Sequence, residues 1–181
     1  MNLGKKRGLF FKFLVALVIG VPLLWGLAGA DIPSKSSVGL AFLSGSQSEA
    51  SAPDFELPDL NGYTVRLSDF QDNRPVMIYF WATWCPHCVQ ARPSIVRLRE
   101  KIEENELGIL GINVGAGDSL ERVKRFQKGH PVSWPVLYDK DGEVSKAYGV
   151  QGIPLFVLLN SKGDIVYRGY EMPENPKQYL Q

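Results

Sequence analysis

Two cysteines separated by two residues carry the clearest chemistry in the sequence. Cys85 and Cys88 are the only cysteines among 181 residues, within the segment Trp84-Cys85-Pro86-His87-Cys88. The apolar run Val76–Trp81 before them is typical of a buried strand. The apolar spacing after them is typical of an amphipathic helix. The pair is therefore predicted to lie where a strand ends and a helix begins.

The start of a helix is a favourable place for thiol chemistry. Cys85 falls at the predicted N-cap and Pro86 suits the first turn, where free backbone N–H groups stabilise a thiolate. Cys88 returns to the same helix face, close enough for a disulfide. His87 adds a titratable group, and a positive charge when protonated. We therefore predict Cys85 and Cys88 as catalytic residues, with Pro86 and His87 tuning their redox chemistry.

Two other interpretations of the pair compete with redox catalysis. A structural disulfide that closes so short a loop contributes only about 2 kcal/mol in the chain-entropy model. A zinc site needs about four ligands, and only His87 and His130 could add nitrogen to the two sulphurs. His87 lies between the thiols and is poorly placed to share their metal. The strand–turn–helix context favours redox catalysis without a metal.

Length and composition describe an ordinary globular protein. At 181 residues the chain accommodates one domain plus appendages. Its net charge of +1 gives no electrostatic reason to expect a nucleic-acid partner. Two cysteines are too few for a disulfide-stapled scaffold, so the fold depends on its apolar core.

The N-terminus predicts export. Basic residues at 5–7 precede an uncharged run of about 18 residues at 13–30, close to the length that spans a hydrocarbon core. Basic residues before the run and Asp31 after it direct the rest of the chain out of the cytoplasm. The small residues at 28–30 also fit a signal-peptidase site. Residues 1–30 are thus either a membrane anchor or a cleaved signal peptide.

The remaining chain divides into a linker and one folded domain. Residues 31–52 are rich in Ser, Gly and Ala without a period, which predicts a flexible linker. In the domain at 53–181, alternation around Asn61-Gly62 predicts a β-hairpin. Strand patterns recur near 107–114, 155–159 and 165–167, with a helix starting at Asp118 or Ser119. The acidic stretch at 139–142 does not continue as a calcium loop, so it is predicted as a solvated turn.

The motifs resemble a known family. A Trp-Cys-x-x-Cys after a buried strand and a distal Gly152-Ile153-Pro154 before a late strand resemble the thioredoxin fold. Three further features narrow the resemblance: the leading hairpin, the amino-acid sequence of residues 80–85 and the predicted export. With them the chain resembles the TlpA/ResA/CcmG (DsbE) family of membrane-tethered thiol–disulfide oxidoreductases. The resemblance covers roughly 53–170. It implies an α/β, thioredoxin-like fold: a central mixed β-sheet flanked by helices, with an added N-terminal β-hairpin.

The resemblance also implies roles for individual residues. Cys85 would be the exposed attacking thiol and Cys88 the buried resolving thiol. Pro154 would follow a cis peptide bond, and Trp84, Ile153 and Pro154 would bind the substrate. No cofactor is implied beyond the redox-active disulfide.

Three departures from the family pattern leave parts of the chemistry open. Tyr79 stands where thioredoxins usually have a buried Asp, and Ala91 stands where ResA-like members have a Glu. The group that exchanges protons with Cys88 is therefore unidentified in the sequence. The Pro86-His87 dipeptide is the choice of DsbA-type oxidants, whereas many reductants of this family carry Glu-Pro or Pro-Pro.

The leading functional expectation is an extracytoplasmic thiol–disulfide oxidoreductase, a reductant of the cytochrome c maturation type. Its partners would be protein thiols such as those of apocytochrome c and a membrane electron donor that recycles the dithiol. It would lie at the bacterial inner membrane with the domain in the periplasm, or be soluble there if cleaved after Ala30.

There are three alternatives to this function, of which the last two come from other classes. The first is a DsbA-like oxidant. The second is a peroxiredoxin-like peroxidase, which would have Pro and Thr where this chain has Ile78 and Ala82. The third is a Sco-like copper-binding assembly protein, for which His130 is the distal ligand candidate.

Overall fold

The computed structural model describes residues 51–179. The predicted anchor or signal segment at 1–30 and residues 31–50 of the predicted linker lie outside the described residues, so both stay predictions. Between residues 51 and 179, no helix has the length and apolarity needed to cross a membrane.

The domain is built on a mixed five-stranded sheet with the strand order β5-β4-β3-β6-β7. Its strands are β3 Val76–Trp81, β4 Gly108–Asn113, β5 Val136–Tyr138, β6 Leu155–Leu159 and β7 Ile165–Gly169. The central strand β3 pairs in parallel with β4 and antiparallel with β6. All six residues of β3 are buried, which explains its unbroken apolar run.

The helices connect and flank these strands, as the sequence predicted. They are α1 Leu67–Gln71, α2 Pro86–Arg99, α3 Leu120–Gly129 and α4 Glu143–Ala147, followed by a 3₁₀ helix at Pro176–Tyr179. Helix α2 follows β3 after a short loop, so the cysteine pair lies at the predicted strand–helix junction. Ser119 is the N-cap of α3 and its side chain accepts a hydrogen bond from the Arg122 N–H, within the predicted start.

The predicted N-terminal hairpin is present. Strand β1 (Glu56–Pro58) pairs antiparallel with β2 (Thr64–Arg66), and Leu57 faces Val65. Gly62 in the connecting turn has φ +94°, a conformation that favours glycine. Phe55 and Leu57 are buried with the main core, so the hairpin is part of the same folded unit.

The prediction of a solvated turn at 139–142 is wrong for its first residue. Asp139 is 1% exposed. Its carboxylate accepts hydrogen bonds from the Ser145 N–H at 2.7 Å and from the Ser145 hydroxyl at 2.6 Å. The first N–H groups of a short helix such as α4 have no intrahelical partners, and the Asp139 carboxylate accepts a hydrogen bond from one of them.

Candidate active site

The first turn of α2 holds the two sulphurs together. Cys85 is the N-cap of α2 in an extended conformation, and Pro86 occupies the first helical turn. Cys85 and Cys88 form a disulfide with a Cα–Cα distance of 5.2 Å. The Cys88 N–H donates to Cys85 Sγ at 3.1 Å. An N–H group of the first helical turn is thus directed at the Cys85 sulphur, where it would stabilise a thiolate.

Cys85 is less accessible than the resemblance implied. Cys88 is fully buried as expected, but Cys85 is only 3% exposed in the disulfide form. The carbonyl oxygen of Ile153 lies 3.7 Å from Cys85 Sγ and covers it. The expectation of an exposed Cys85 is therefore wrong for this state, although Cys85 remains the more accessible of the two.

Backbone opposite the disulfide separates two grooves. The Ile153–Pro154 peptide bond is cis, as the resemblance implied. One groove, of about 650 Å³, is lined by His87, Pro154 and other residues on the side of α2 and Tyr170. The other, of about 480 Å³, is lined by Trp84 and other residues on the side of α4. Ile153 lines both grooves, so the substrate-binding residues predicted from the sequence surround the disulfide.

The interior side of the pair contains a phenol where thioredoxins have a carboxylate. Tyr79 is fully buried on β3, and its hydroxyl donates to the Cys88 carbonyl oxygen at 2.7 Å. Burial raises the pKa of Tyr79 well above its usual range, and the opposing influence of Arg92 is smaller. Tyr79 is therefore a neutral hydrogen-bond donor that anchors the first turn of α2, not an acceptor for the thiol proton.

The second histidine does not form part of a metal site in the described structure. The His130 ring stacks on Phe126 with centroids 4.4 Å apart, at the end of α3. Between residues 51 and 179, no group of three or more His, Cys, Asp or Glu side chains is arranged to hold a metal ion. The described residues thus do not assemble the zinc or copper centre considered from the sequence.

Comparison with known proteins places this site in a family. The AhpC/TSA family model matches residues 49–168. The chain belongs to the AhpC/TSA family. It is 33% identical over 163 residues to the thiol-disulfide oxidoreductase ResA of Bacillus subtilis, covering 90% of this chain and 84% of that protein. It is 29% identical to ResA of Bacillus cereus, covering 97% and 96% of the two chains.

A solved structure gives the same result. A Chlorobium tepidum protein assigned as the thiol:disulfide interchange protein DsbE superposes with a TM-score of 0.64 and 27% identity. The match covers 72% of this chain and 93% of that one. The chain is therefore a thiol–disulfide oxidoreductase of the TlpA/ResA/CcmG (DsbE)-like thioredoxin-fold group within its family. This membership implies that protein thiols are its substrates.

In this oxidoreductase the loop before Cys85 is held by a carboxylate that the sequence analysis did not identify as part of the site. The Asp118 side chain is 0% exposed. It accepts hydrogen bonds from the Thr83 N–H at 2.8 Å, from the Thr83 hydroxyl, and from Asn113 Nδ2 at 2.8 Å. Asp118 thus ties the residues before Cys85 to the end of β4.

The same segment fixes Trp84. The Trp84 indole N–H donates to the Ala116 carbonyl oxygen at 2.8 Å, while the side chain stays 52% exposed. Gly117 has φ +71°, and a Cβ there would lie 2.9 Å from the indole nitrogen. The loop at 115–118 therefore presents the Trp84 ring in one orientation as a wall of the smaller groove. Thr83 and Asp118 are 35 residues apart, so only their structural proximity reveals this contact.

Asp118→Asn should destabilise the domain, because an amide offers one acceptor oxygen where the carboxylate uses two. We expect the free energy of unfolding to fall by about 2 kcal/mol, as for loss of hydrogen bonds to a buried charged group. Urea unfolding of the reduced proteins measures this. The control is Asp141→Asn in the exposed part of the acidic turn, expected to change stability by less than about 0.5 kcal/mol. Equal effects of the two substitutions would contradict the assigned role.

Proposed function

We propose that this oxidoreductase is exported and keeps protein thiols reduced outside the cytoplasm, with Cys85 attacking and Cys88 resolving. The observation that carries the roles is the helix-capped disulfide with the Ile153 carbonyl 3.7 Å from Cys85 Sγ. Cys85 is the N-cap residue and faces the client-binding backbone. Cys88 lies behind it and is fully buried.

The reaction consists of two successive thiol–disulfide exchanges. The Cys85 thiolate attacks a client disulfide, forms a mixed disulfide and releases one client thiolate, which takes up a proton. The Cys88 sulphur then attacks Cys85 Sγ, closes the enzyme disulfide and releases the second client thiol. Two electrons pass from the enzyme dithiol to the client. The redox-active disulfide supplies this chemistry, so we propose no further cofactor.

The backbone around Ile153 is the proposed docking place for the client. An extended client segment lying across Gly152 and Ile153 could pair with this backbone and bring its sulphur to Cys85. The two grooves on either side then receive the client's flanking side chains. Trp84 and Tyr170, which are 52% and 57% exposed, provide apolar walls for these side chains.

The proposed cellular location and physiological client are inferred from the sequence. The basic residues at 5–7 and the uncharged run at 13–30 support export, with the domain on the periplasmic side of the inner membrane. The resemblance to ResA- and CcmG-type proteins supports apocytochrome c thiols as the client. A net reductant needs two electrons per turnover, which a membrane partner would supply to Cys85–Cys88.

A DsbA-like oxidant is the second candidate, favoured by His87. The residue lies between the two cysteines in the sequence, is exposed and lines the larger groove. A protonated imidazole there favours the Cys85 thiolate and hence the reduced form, which makes the disulfide more oxidising. A peroxidase is not proposed, because the two positions before Cys85 that the sequence singled out hold the buried apolar residues Ile78 and Ala82.

Cys88→Ser should trap clients, because Cys85 can still attack but nothing resolves the mixed disulfide. We expect mixed disulfides with client proteins on non-reducing gels, with the linked cysteines identified by mass spectrometry. Cys85→Ser is the matched control and should trap nothing. Trapping by Cys85→Ser alone would reverse the assigned roles.

Export is tested by fusing alkaline phosphatase after Gln181 in a bacterial host. The fusion should be active, because the basic N-terminal flank holds the N-terminus inside and places the C-terminus outside. An inactive fusion made at a normal level would contradict export. Mass spectrometry of the mature N-terminus separates the two forms: a chain beginning at Asp31 is a cleaved signal, and an intact N-terminus is an anchor.

His87→Pro should make the couple more reducing, because it removes an imidazole whose protonated form favours the Cys85 thiolate. Each unit of thiolate pKa corresponds to roughly 30 mV for a two-electron couple. We expect a change of some tens of millivolts in equilibrium with glutathione, and none for the control His130→Gln at the end of α3. An unchanged potential would refute the electrostatic role of His87. A wild-type potential near that of DsbA, about −120 mV, would favour the oxidant function.

A further inference from the structure

A buried arginine lies on the catalytic helix without a role in the chemistry described above. Arg92 belongs to α2 and is 6% exposed, among the few buried polar or charged residues of the domain. Its guanidinium packs over the rings of Trp81 and Phe126, 5.2 Å from each centroid. Burial lowers the pKa of Arg92 somewhat, but an arginine stays protonated in proteins. The domain therefore holds a full positive charge in its interior.

The hydrogen-bond partners of this cation are neutral. Arg92 donates to Gln127 Oε1 at 3.1 Å and to the His130 carbonyl oxygen at 2.6 Å. Among residues 51–179, the ion pairs involve other arginines and lysines, and no carboxylate pairs with Arg92. A buried charge without a counter-ion is costly. Such a charge is suited to an anion that forms only during the reaction.

The Cys88 thiol on the same helix can form such an anion during the reaction. Cys88 lies one helical turn before Arg92 on the buried face of α2, a spacing that brings Cβ atoms to about 5–6 Å. Cys88 is fully buried, so water does not stabilise its thiolate. Tyr79 lies between the two residues, since its hydroxyl donates to the Cys88 carbonyl oxygen and its ring stacks on Trp81, over which the Arg92 guanidinium packs.

We propose that Arg92 stabilises the Cys88 thiolate that resolves the mixed disulfide, in a site where Tyr79 stands at the position of the buried Asp of thioredoxins. The inference rests on the proposed role of Cys88 as the resolving thiol. Cys88 loses its proton, its sulphur attacks Cys85 Sγ, and the client sulphur leaves and takes up a proton. Arg92 exchanges no proton and forms no covalent bond. It acts only through its charge on the Cys88 sulphur.

The described strands and helices that pack around Cys88 and Arg92 contribute mostly side chains that do not titrate. Strand β3 contributes Tyr79, which stays protonated because burial raises its pKa. Strand β6 contributes Phe156, stacked on Tyr79. Helix α3 contributes Phe126 and Gln127, and His130 at its end. The His130 ring is exposed and stacks on Phe126. His130→Gln serves as the control for any contribution of this imidazole to the measured pH dependence.

The test separates attack by Cys85 from resolution by Cys88 within one reaction. Reduced protein is mixed with dithiobis(nitrobenzoate), which releases one coloured thiol when Cys85 attacks and a second when Cys88 resolves. The rate of the second phase is measured against pH. The variants are Arg92→Met, which keeps much of the packing and removes the charge, and Arg92→Lys, which keeps the charge. Arg97→Met on the exposed face of α2 is the matched control.

In Arg92→Met we expect the midpoint of the second phase to rise by about one pH unit or more, since a nearby cation favours the thiolate. At neutral pH this is roughly a ten-fold slower resolution, with the first phase unchanged. Arg92→Lys, Arg97→Met and His130→Gln should keep the wild-type midpoint.

Other outcomes would overturn the proposal. If the midpoint is unchanged in Arg92→Met, Arg92 has a purely structural role. The same conclusion follows if Arg92→Lys shifts the midpoint as much as Arg92→Met does, because both variants lose the guanidinium hydrogen bonds but only Arg92→Lys keeps the charge. If Arg92→Met does not fold, Arg92→Gln replaces it. If neither neutral variant folds, the charge serves stability and the proposal is rejected. Absence of both phases in the wild type would instead refute the proposed function.

Discussion

The burial of β3 is the constraint on which the site depends. Its six residues are buried, all six pair with β4 and the first five also pair with β6, so the strand has no freedom to shift its register. Tyr79 and Trp81 point to one face, where they stack on each other at 6.4 Å. That face receives α2, and the short connection leaves Cys85 at the first N–H groups of the helix. The position of the disulfide therefore follows from the packing of the central strand.

The local sequence pattern was sufficient to predict the helices and strands and the place of the cysteine pair among them. Alternation around Asn61-Gly62 predicts the hairpin, and the unbroken apolar run predicts β3, because both signals depend on neighbours in sequence. Asp139 and Asp118 were missed because each is stabilised by donors that only the fold brings near. A charged residue in a loop looks solvated until its partners are known. The covering of Cys85 by Ile153 is a contact of the same long-range kind.

Arg92 shows the limit of reading a helix face from apolar residues alone. The apolar spacing of α2 agrees with the burial of Ile95 and Leu98, but it gives no reason to expect a buried arginine. Arg92 lies on the buried face because its guanidinium can stack on two aromatic rings and donate to Gln127 and the His130 carbonyl. These two rings come from β3 and α3, and periodicity within α2 carries no information about them.

The sign of the charge beside the buried thiol has a consequence for electron flow. A buried carboxylate can accept the proton of a resolving thiol, whereas a guanidinium can only stabilise the thiolate that remains. Stabilising either thiolate stabilises the dithiol, so the proposed effects of Arg92 and His87 both make the disulfide more oxidising. A reductant with such a site depends on its recycling partner, because net flow follows the difference between the two potentials. On these proposals, the same site would act as a reductant when a strongly reducing partner recycles the dithiol, and as an oxidant when an oxidising partner regenerates the disulfide.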